Sequence, residues 1–523
     1  MSATDGNDEA TMTWEPELEE IRRRRVVAEA MGGEERVARH HQAGKLTVRE
    51  RIAKLVDPGS FQEIGQLAGR IPAGTDFPFT PDAYVGGLAK IDGRDVAIGG
   101  EDFTIRGGSE GFAKSLLVER LGIMHRIPVV FLRDGAGFNI ASLLNSDRVA
   151  VPGDTDGSSF VELLATVPVL TALMGSVAGG PAGFAMMSHW TCMVKGTSQL
   201  FTAGPPVVKQ SLGLEIDKEQ LGGSYVHTRI SGAVDNEADD EEDCLHQVKT
   251  MLSYLPSNVW SDPPYKPTTD RIDRQEEELL SIVPRNNRAA YDMRRLVRLV
   301  IDHGELFEIK PFWGASLITG LARLHGHVIG VLASNPRVKA GAMDHEAAEK
   351  QVRFMEICDQ FGIPMVYFVD VPGLMVGPDA EAHAVIKKGM RAFWMTHSIT
   401  VPLLNVNVRR CYGFAGAVTS RGPKMTARLA WPSAEIGGVP IEGGVDAAFK
   451  RLIENSPDPE TTRKQIVEQL ERLRSPFPVA ENVGFDDLID PRETRPRLIR
   501  ALESVLPSIA LSRGIRPRPG VRP

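Results

Sequence analysis

Two short stretches carry the residue types best suited to chemistry: Ala178-Gly179-Gly180-Pro181-Ala182-Gly183 and Tyr412-Gly413-Phe414-Ala415-Gly416-Ala417. Each follows an apolar run that reads as a strand. A strand, a Gly-rich turn and then a helix expose backbone N–H groups at the helix N-terminus. Those donors and the helix dipole suit an oxygen that gains negative charge during a reaction. Gly179-Gly180 also lets a ligand come close to the backbone, because no side chain stands in the way. A lone Gly-Gly pair is more often a tight packing turn. Two such turns in equivalent places favour function.

Other chemistries find less support. Gly107-Gly108-Ser109-Glu110-Gly111-Phe112-Ala113-Lys114-Ser115 approaches a phosphate-binding loop, but Ala113 stands where its second glycine must be. The four cysteines, Cys192, Cys244, Cys358 and Cys411, have no metal-ligand spacing. His40-His41 and the His325/His327 pair lack the neighbours that would complete a ligand set, so they read as polar pairs and no metal is expected. His345, after Asp344, reads as the neighbour of a helix cap, and Met187–Trp190 as core. No Ser-His-Asp or Cys-His arrangement can be assembled from spacing. What remains is stabilisation of an enolate or similar anion, with proton transfer from elsewhere.

The elements that must hold these turns are spelled twice. Ile127-Pro-Val-Val-Phe-Leu-Arg-Asp134-Gly135-Ala136-Gly137 matches Ile363-Pro-Met-Val-Tyr-Phe-Val-Asp370-Val371-Pro372-Gly373. Upstream, Asp92-Gly93-Arg94 matches His325-Gly326-His327. Downstream, Val167-Pro168-Val169-Leu170 matches Val401-Pro402-Leu403-Leu404. Three matches in one order mean two copies of one α/β fold, with parallel strands joined by helical crossovers. The expected division is an unstructured N-terminus (1–20), a first domain (21–265), a Pro-rich linker (266–280), a second domain (281–510) and an Arg/Pro-rich tail (511–523). The Arg22–Arg25 run reads as a solvated helix face. Thr47-Val48-Arg49-Glu50 reads as a capping box. The acidic run Asp235–Asp243 reads as a solvated first turn of a helix.

Composition sets the class. The 523 residues are 42% hydrophobic, enough for a core without disulfides or a structural metal. With 60 Lys+Arg against 68 Asp+Glu the net charge is −8, which argues against a general nucleic-acid binder. No apolar run reaches the length of a membrane span. The N-terminus resembles neither a signal nor a transit peptide, and the unpaired cysteines suit a reducing compartment. A cytoplasmic protein is expected.

Several stretches resemble a known family. LTVRERIAKLVDPGSFQEIG (46–65), HHQAGK (40–45), EDFTIRGGSEG (101–111), FTAGPPVVKQSLGLEIDKEQLGG (201–223), LSYLPSN (252–258), VRFMEICDQFGIP (352–364), FVDVPGLMVGPDAEAH (368–383) and WPSAEIGG (431–438) resemble carboxyltransferase β-type subunits of biotin-dependent acyl-CoA carboxylases, the propionyl-CoA carboxylase group. The resemblance covers nearly the whole chain after residue 20. It implies two tandem crotonase-like domains and transfer of a carboxyl group from carboxybiotin to the α-carbon of an acyl-CoA. It places one oxyanion hole at Gly179-Gly180, for the thioester enolate, and the other at Phe414-Ala415, for the biotin ureido oxygen. It also implies that the proton goes to biotin itself. Gly135, Ala136 and Ala417 are the implied substrate-binding positions. Coenzyme A enters as part of the substrate.

The departures from the family pattern are specific. Phe414 replaces a small residue and narrows the approach to the second hole. Asp134-Gly135-Ala136-Gly137-Phe138 stands where many members have Ser-Gly-Gly-Ala-Arg, and Ala417 where they have Asp. Both changes suggest an acyl group bulkier or more branched than propionyl. Lys424-Met425 lies in Gly-Pro-Lys-Met, not the biotinylation sequence Ala-Met-Lys-Met, and no ATP-grasp region or zinc finger is present. A biotin carboxylase/biotin carboxyl carrier partner is therefore expected, with assembly into a homo-hexamer built as a trimer of dimers. An acyl-CoA decarboxylase component and a non-catalytic assembly subunit are the alternatives.

Overall fold

The structure, a computed structural model, describes residues 13–71, 79–109, 112–137, 158–438 and 441–516. Three helices come first: α1 (Glu15–Glu29), α2 (Glu34–Gln42) and α3 (Val48–Leu55). Residues 15–20, expected in the unstructured N-terminus, belong instead to α1. Glu15, Glu19 and Glu20 lie within a turn or two of Arg22, Arg23 and Arg24 and pair with them. The rest of that segment, 1–12, lies outside the described residues. α3 opens on the expected capping box, Thr47 and Glu50 each accepting the other's backbone N–H.

The first repeat follows. β1 (Gln62–Glu63) and a small ribbon of β2 (Gly69–Arg70) with β3 (Thr80–Pro81) lead into the hairpin β4 (Tyr84–Ile91) and β5 (Arg94–Glu101). Then come α4 (Phe112–His125), β6 (Val129–Arg133), α5 (Ser158–Thr166), β7 (Val169–Leu173), β8 (Ser176–Ala178), α6 (Gly180–Met187), β9 (Trp190–Val194), β10 (Gln199–Phe201), α7 (Pro205–Leu212), α8 (Lys218–Gly222), β11 (Asn236–Ala238) and α9 (Glu241–Tyr254). The second repeat has α10 (Met293–Val300), β12 (Leu306–Ile309), β13 (Leu317–Leu324), β14 (His327–Ser334), α11 (His345–Gln360), β15 (Met365–Val371), α12 (Pro378–Ala382), α13 (Val385–Ser398), β16 (Leu403–Tyr412), α14 (Gly413–Ser420), β17 (Met425–Ala430), β18 (Glu435–Gly437) and β19 (Asp487–Leu488).

The sheets run β1-β4-β5-β6-β7-β9-β11 and β12-β13-β14-β15-β16-β17-β19. Each opens with an antiparallel hairpin and continues in parallel. Strands β6, β7, β9 and β15 are buried at every position, as parallel strands covered on both faces must be. The first repeat splits one strand into β7 and β8, and β8 pairs with β10. The second keeps the same path as a single strand, β16, whose end at Arg410–Tyr412 pairs with β18.

One apolar core runs from Val48 through both repeats to Val418. Bonds cross it: Arg353 donates to Ser188 O (2.9 Å), Asn236 to Glu308 O (3.0 Å), and Lys310 pairs with Asp235 at 3.1 Å. These contacts correct the reading of residues 235–243 as a solvated turn. Asp235 is buried between Lys310 and Arg353, and Glu241 is buried on Arg51. Asp240 alone acts as the expected cap, accepting from Asp243 N–H.

Candidate active site

Gly179 caps α6 with φ 66° and ψ −133°, a backbone that only glycine adopts without strain. Gly180 heads the helix, where no preceding turn supplies an acceptor for its N–H. A Cβ on Gly180 would meet nothing within 4 Å. Packing therefore gives no reason for glycine there, whereas a ligand approaching the backbone does. Pro181, the next residue, has no N–H to offer.

The predicted positions Gly135 and Ala136 lie beside this turn. Gly135 O accepts from Ala178 N–H (3.3 Å), and Ala136 N–H donates to Gly107 O (2.9 Å). A Cβ on Gly137 would stand 2.7 Å from Ala178 O, so this loop lies hard against the strand that enters the turn. Ala136 keeps its methyl exposed but its N–H is committed inside the protein. Phe138 lies outside the described residues.

Shifting the Val167–Leu170 to Val401–Leu404 match along the chain brings Gly179 onto Gly413, Gly180 onto Phe414 and Pro181 onto Ala415. The backbone agrees, because Gly413 also has positive φ, 58°. Phe414 and Ala415 sit in the first turn of α14, again with N–H groups that no helical carbonyl takes. Phe414 is 37% exposed, and its ring lies 5.4 Å from that of Phe393. Ala415 is buried. Ala417 lines a cavity of about 300 Å³ with Gly413, Gly416, Ser420, Arg421 and Arg428.

The side chains around the turns offer little conventional catalysis. Burial drives the His189 ring down to about 3, and its Nδ1 accepts from Val169 N–H. Burial likewise lowers His40 and raises Cys411. Gly107–Gly111 spells the G-x-S-x-G of nucleophile elbows. Ser109 is nonetheless buried and donates its hydroxyl to Arg106 O at 2.7 Å. Among the described residues no three His, Cys, Asp or Glu side chains group as metal ligands. Sequence reasoning missed the buried charges behind the turns, Asp134 with Lys45 and Arg51, and Asp370 with Arg409 and Arg410. The signal was available, because the internal repeat carries an Asp at this place in both copies.

The twice-built α/β sheet, with a helix starting after the equivalent strand of each copy, is the fold of two tandem crotonase-like domains. Residues 39–509 match the carboxyl transferase domain, and the chain belongs to that family. It is 36% identical over 499 residues to the carboxyltransferase subunit of propionyl-CoA carboxylase from Haloferax mediterranei, covering 94% of this chain and 96% of that one. It is 35% identical over 502 residues to methylmalonyl-CoA decarboxylase subunit alpha from Veillonella parvula, with 94% and 96% covered. The crystal structure of transcarboxylase 12S, a hexamer with methylmalonyl-CoA and methylmalonic acid bound, superposes with a TM-score of 0.86 at 30% identity over 98% of each chain.

Proposed function

We propose that this chain is the carboxyltransferase component of a biotin-dependent acyl-CoA carboxylase, acting with a subunit that carries the biotin. The observation that carries this reading is Gly180. It heads a helix, its N–H lacks a helical acceptor, and the space where a side chain would stand is empty. A thioester oxygen that gains charge as its α-proton leaves is stabilised by such fixed N–H donors. When bound, carboxybiotin supplies the carboxyl group and its ureido nitrogen takes the α-proton. The chain's own residues do the rest. The Gly179-Gly180 turn holds the thioester oxygen, and the Phe414 and Ala415 N–H groups hold the ureido oxygen. Gly135 and Ala136 back the first turn, and Ala417 borders space for the acyl group. The absence of an Asp at 417 suits an acyl chain longer or more branched than propionyl.

Each turn belongs to a different sheet, so the two ligands meet when one copy's first repeat faces another's second. The surfaces are suited to this. Val207, Leu212 and Leu214 are exposed in the first repeat, and Val376, Ile386, Met390 and Trp394 in the second. A two-fold pairing of these faces creates two equal sites at once, and the hexamer of transcarboxylase 12S is a precedent. A monomer at micromolar concentration in sedimentation would overturn this assembly. The four cysteines are free and buried, which suits the cytoplasm. Among the described residues no helix is long and apolar enough to cross a membrane.

The similarity to a decarboxylase subunit supports a second direction, removal of the carboxyl group from a carboxylated acyl-CoA. One experiment separates the two. The chain is combined with a biotin carboxylase and carrier, and ATP-dependent carboxylation is followed across acetyl-, propionyl-, butyryl- and longer acyl-CoAs. Turnover rising beyond propionyl supports the proposal. Carboxyl release from methylmalonyl-CoA without any ATP-dependent carboxylation supports the decarboxylase, and no turnover in either direction supports the assembly role.

A further inference from the structure

The repeats share more than their turns. Before each, three consecutive residues adopt left-handed backbone: Arg106, Gly107 and Gly108 (φ 51°, 67°, 74°) and Lys339, Ala340 and Gly341 (φ 48°, 52°, 79°). Such runs are costly away from glycine and persist only where the surroundings enforce them. In both, the last glycine lets an aspartate peptide lie against it. A Cβ on Gly108 would stand 2.7 Å from Asp134 O, and one on Gly341 2.5 Å from Asp370 O. Both aspartates are fully buried, and each holds two cations.

The cations come from different places. Asp370 accepts from Arg409 (Nε 3.0 Å, Nη2 2.9 Å) and from Arg410 (Nε 2.7 Å, backbone N–H 3.1 Å), on the strand that runs into Gly413. Arg410 also donates to Ala340 O at 2.8 Å, joining the left-handed run to that strand. Asp134 accepts from Lys45 (3.1 Å) and Arg51 (3.1 Å), brought in by the N-terminal helices. Gly175 stands where the second repeat has Arg409, and any Cβ there would lie 1.7 Å from the Asp134 carboxylate. From Asp134 the path to the first turn is short, since Gly135 O takes the N–H of Ala178 and Gly179 follows.

We infer that Asp134 and Asp370 are a duplicated pair of positioning residues, each fixing the backbone that aims its own turn's N–H donors. The inference rests on reading those turns as oxyanion sites. A donor displaced from a developing charge loses transition-state stabilisation and leaves ground-state binding intact, so kcat falls while KM holds.

The test uses the full chain and follows carboxyl transfer from methylmalonyl-CoA to free biotin. Asp370→Asn and Asp134→Asn should each lower kcat at least tenfold, with KM for methylmalonyl-CoA within twofold of the parent. Each leaves buried cations unpaired and can fail to fold, so milder changes accompany them. Arg410→Met spares the Arg409–Asp370 pair, and Lys45→Met spares Arg51–Asp134. Both should show the same split, and Lys45→Arg should recover most of the loss. Folded Lys45→Met and Arg410→Met variants with parental kcat, or a loss carried by KM, would overturn the inference. A parent that transfers nothing to biotin, from methylmalonyl-CoA or from longer α-carboxyacyl-CoAs, would overturn the proposed function itself, a separate result.

Discussion

The two turns are the same backbone with different chemistry laid over it. Gly179 and Gly413 share a left-handed φ, and each stands at the start of a helix, Gly179 as its cap and Gly413 as its first residue, after a strand that pairs in parallel with its neighbour. One position further the copies part. The first has Gly180, open above its N–H, and then Pro181 with no N–H at all. The second has Phe414, walled by its own ring and Phe393, and then Ala415 with a donor to give. Duplication kept the positive-φ glycine at the start of the turn and let the residues after it diverge. On the proposed function, the first turn needs bare backbone and the second tolerates cover.

The change expected to cost most is Gly180→Ala. The new methyl meets no protein atom, so thermal stability should match the parent. Transfer should nonetheless fall about 100-fold, because a methyl in the approach path displaces the reacting oxygen from its donor. Carboxyl transfer measured beside a melting curve decides it. Parental turnover would mean that no ligand reaches Gly180, and the comparison between the turns would collapse.

The next effect tests what lies beyond the second turn. Ala417→Asp puts a carboxylate into the cavity bordered by Arg421 and Arg428 and removes room for apolar atoms. Each buried methylene contributes ~0.8 kcal/mol, so two excluded methylenes amount to about tenfold. The variant's kcat/KM should fall about tenfold for acyl-CoAs longer than propionyl and stay within threefold for acetyl- and propionyl-CoA. A uniform loss across the series would mean that position 417 shapes the fold of the second site and not its choice of acyl group.

How much of this was legible beforehand follows from the range of each interaction. The duplication was legible because buried parallel strands are spelled as apolar runs, and Ile127–Asp134 and Ile363–Asp370 spell the same strand. The turns were legible because glycine reports a local backbone demand. The charges behind them were half legible: the repeat marks Asp134 and Asp370, but not the cations that meet them. Arg51 meets Glu241, and Asp235 meets Lys310 and Arg353, across distances in sequence that no local pattern encodes. An acidic run therefore looks solvated until its partners are seen. Gly175 was silent for the same reason, its absent side chain making room for Asp134.

Phe414→Ala should change activity least of the substitutions near the turns. The donor is the backbone N–H, which the substitution keeps, and the lost aromatic contact with Phe393 contributes about 1 kcal/mol. Transfer should stay within about threefold of the parent. A loss as deep as that from Gly180→Ala would show that the ring itself touches a ligand, and the second turn would no longer be the tolerant one.

The smallest effect on transfer is expected deep in α11, where the repeats differ in placement. α4, the crossover helix between the strands that α11 joins in the second copy, leaves Leu117 and Met124 exposed, whereas α11 lies in the core shared by both repeats. Burial there pushes Lys350 down to about 7, while its amine donates to Trp313 O (3.1 Å) and Leu317 O (2.7 Å). The unfolded chain holds this proton up to the ordinary lysine range. Between pH 7 and about 10 the unfolded state therefore binds more protons, and this group makes stability rise with pH by at most ~1.4 kcal/mol per unit. Below pH 7 both states are charged, and the cost of burying the ammonium is paid in full. Lys350→Met removes that dependence, although it strands the two carbonyls. Its urea midpoint relative to the parent should therefore be more favourable at pH 6 than at pH 9, with transfer at pH 8 unchanged. Equal offsets at both pH values would mean that the carbonyls keep Lys350 charged in the folded protein, so that α11 buries a true ammonium at the centre of the molecule.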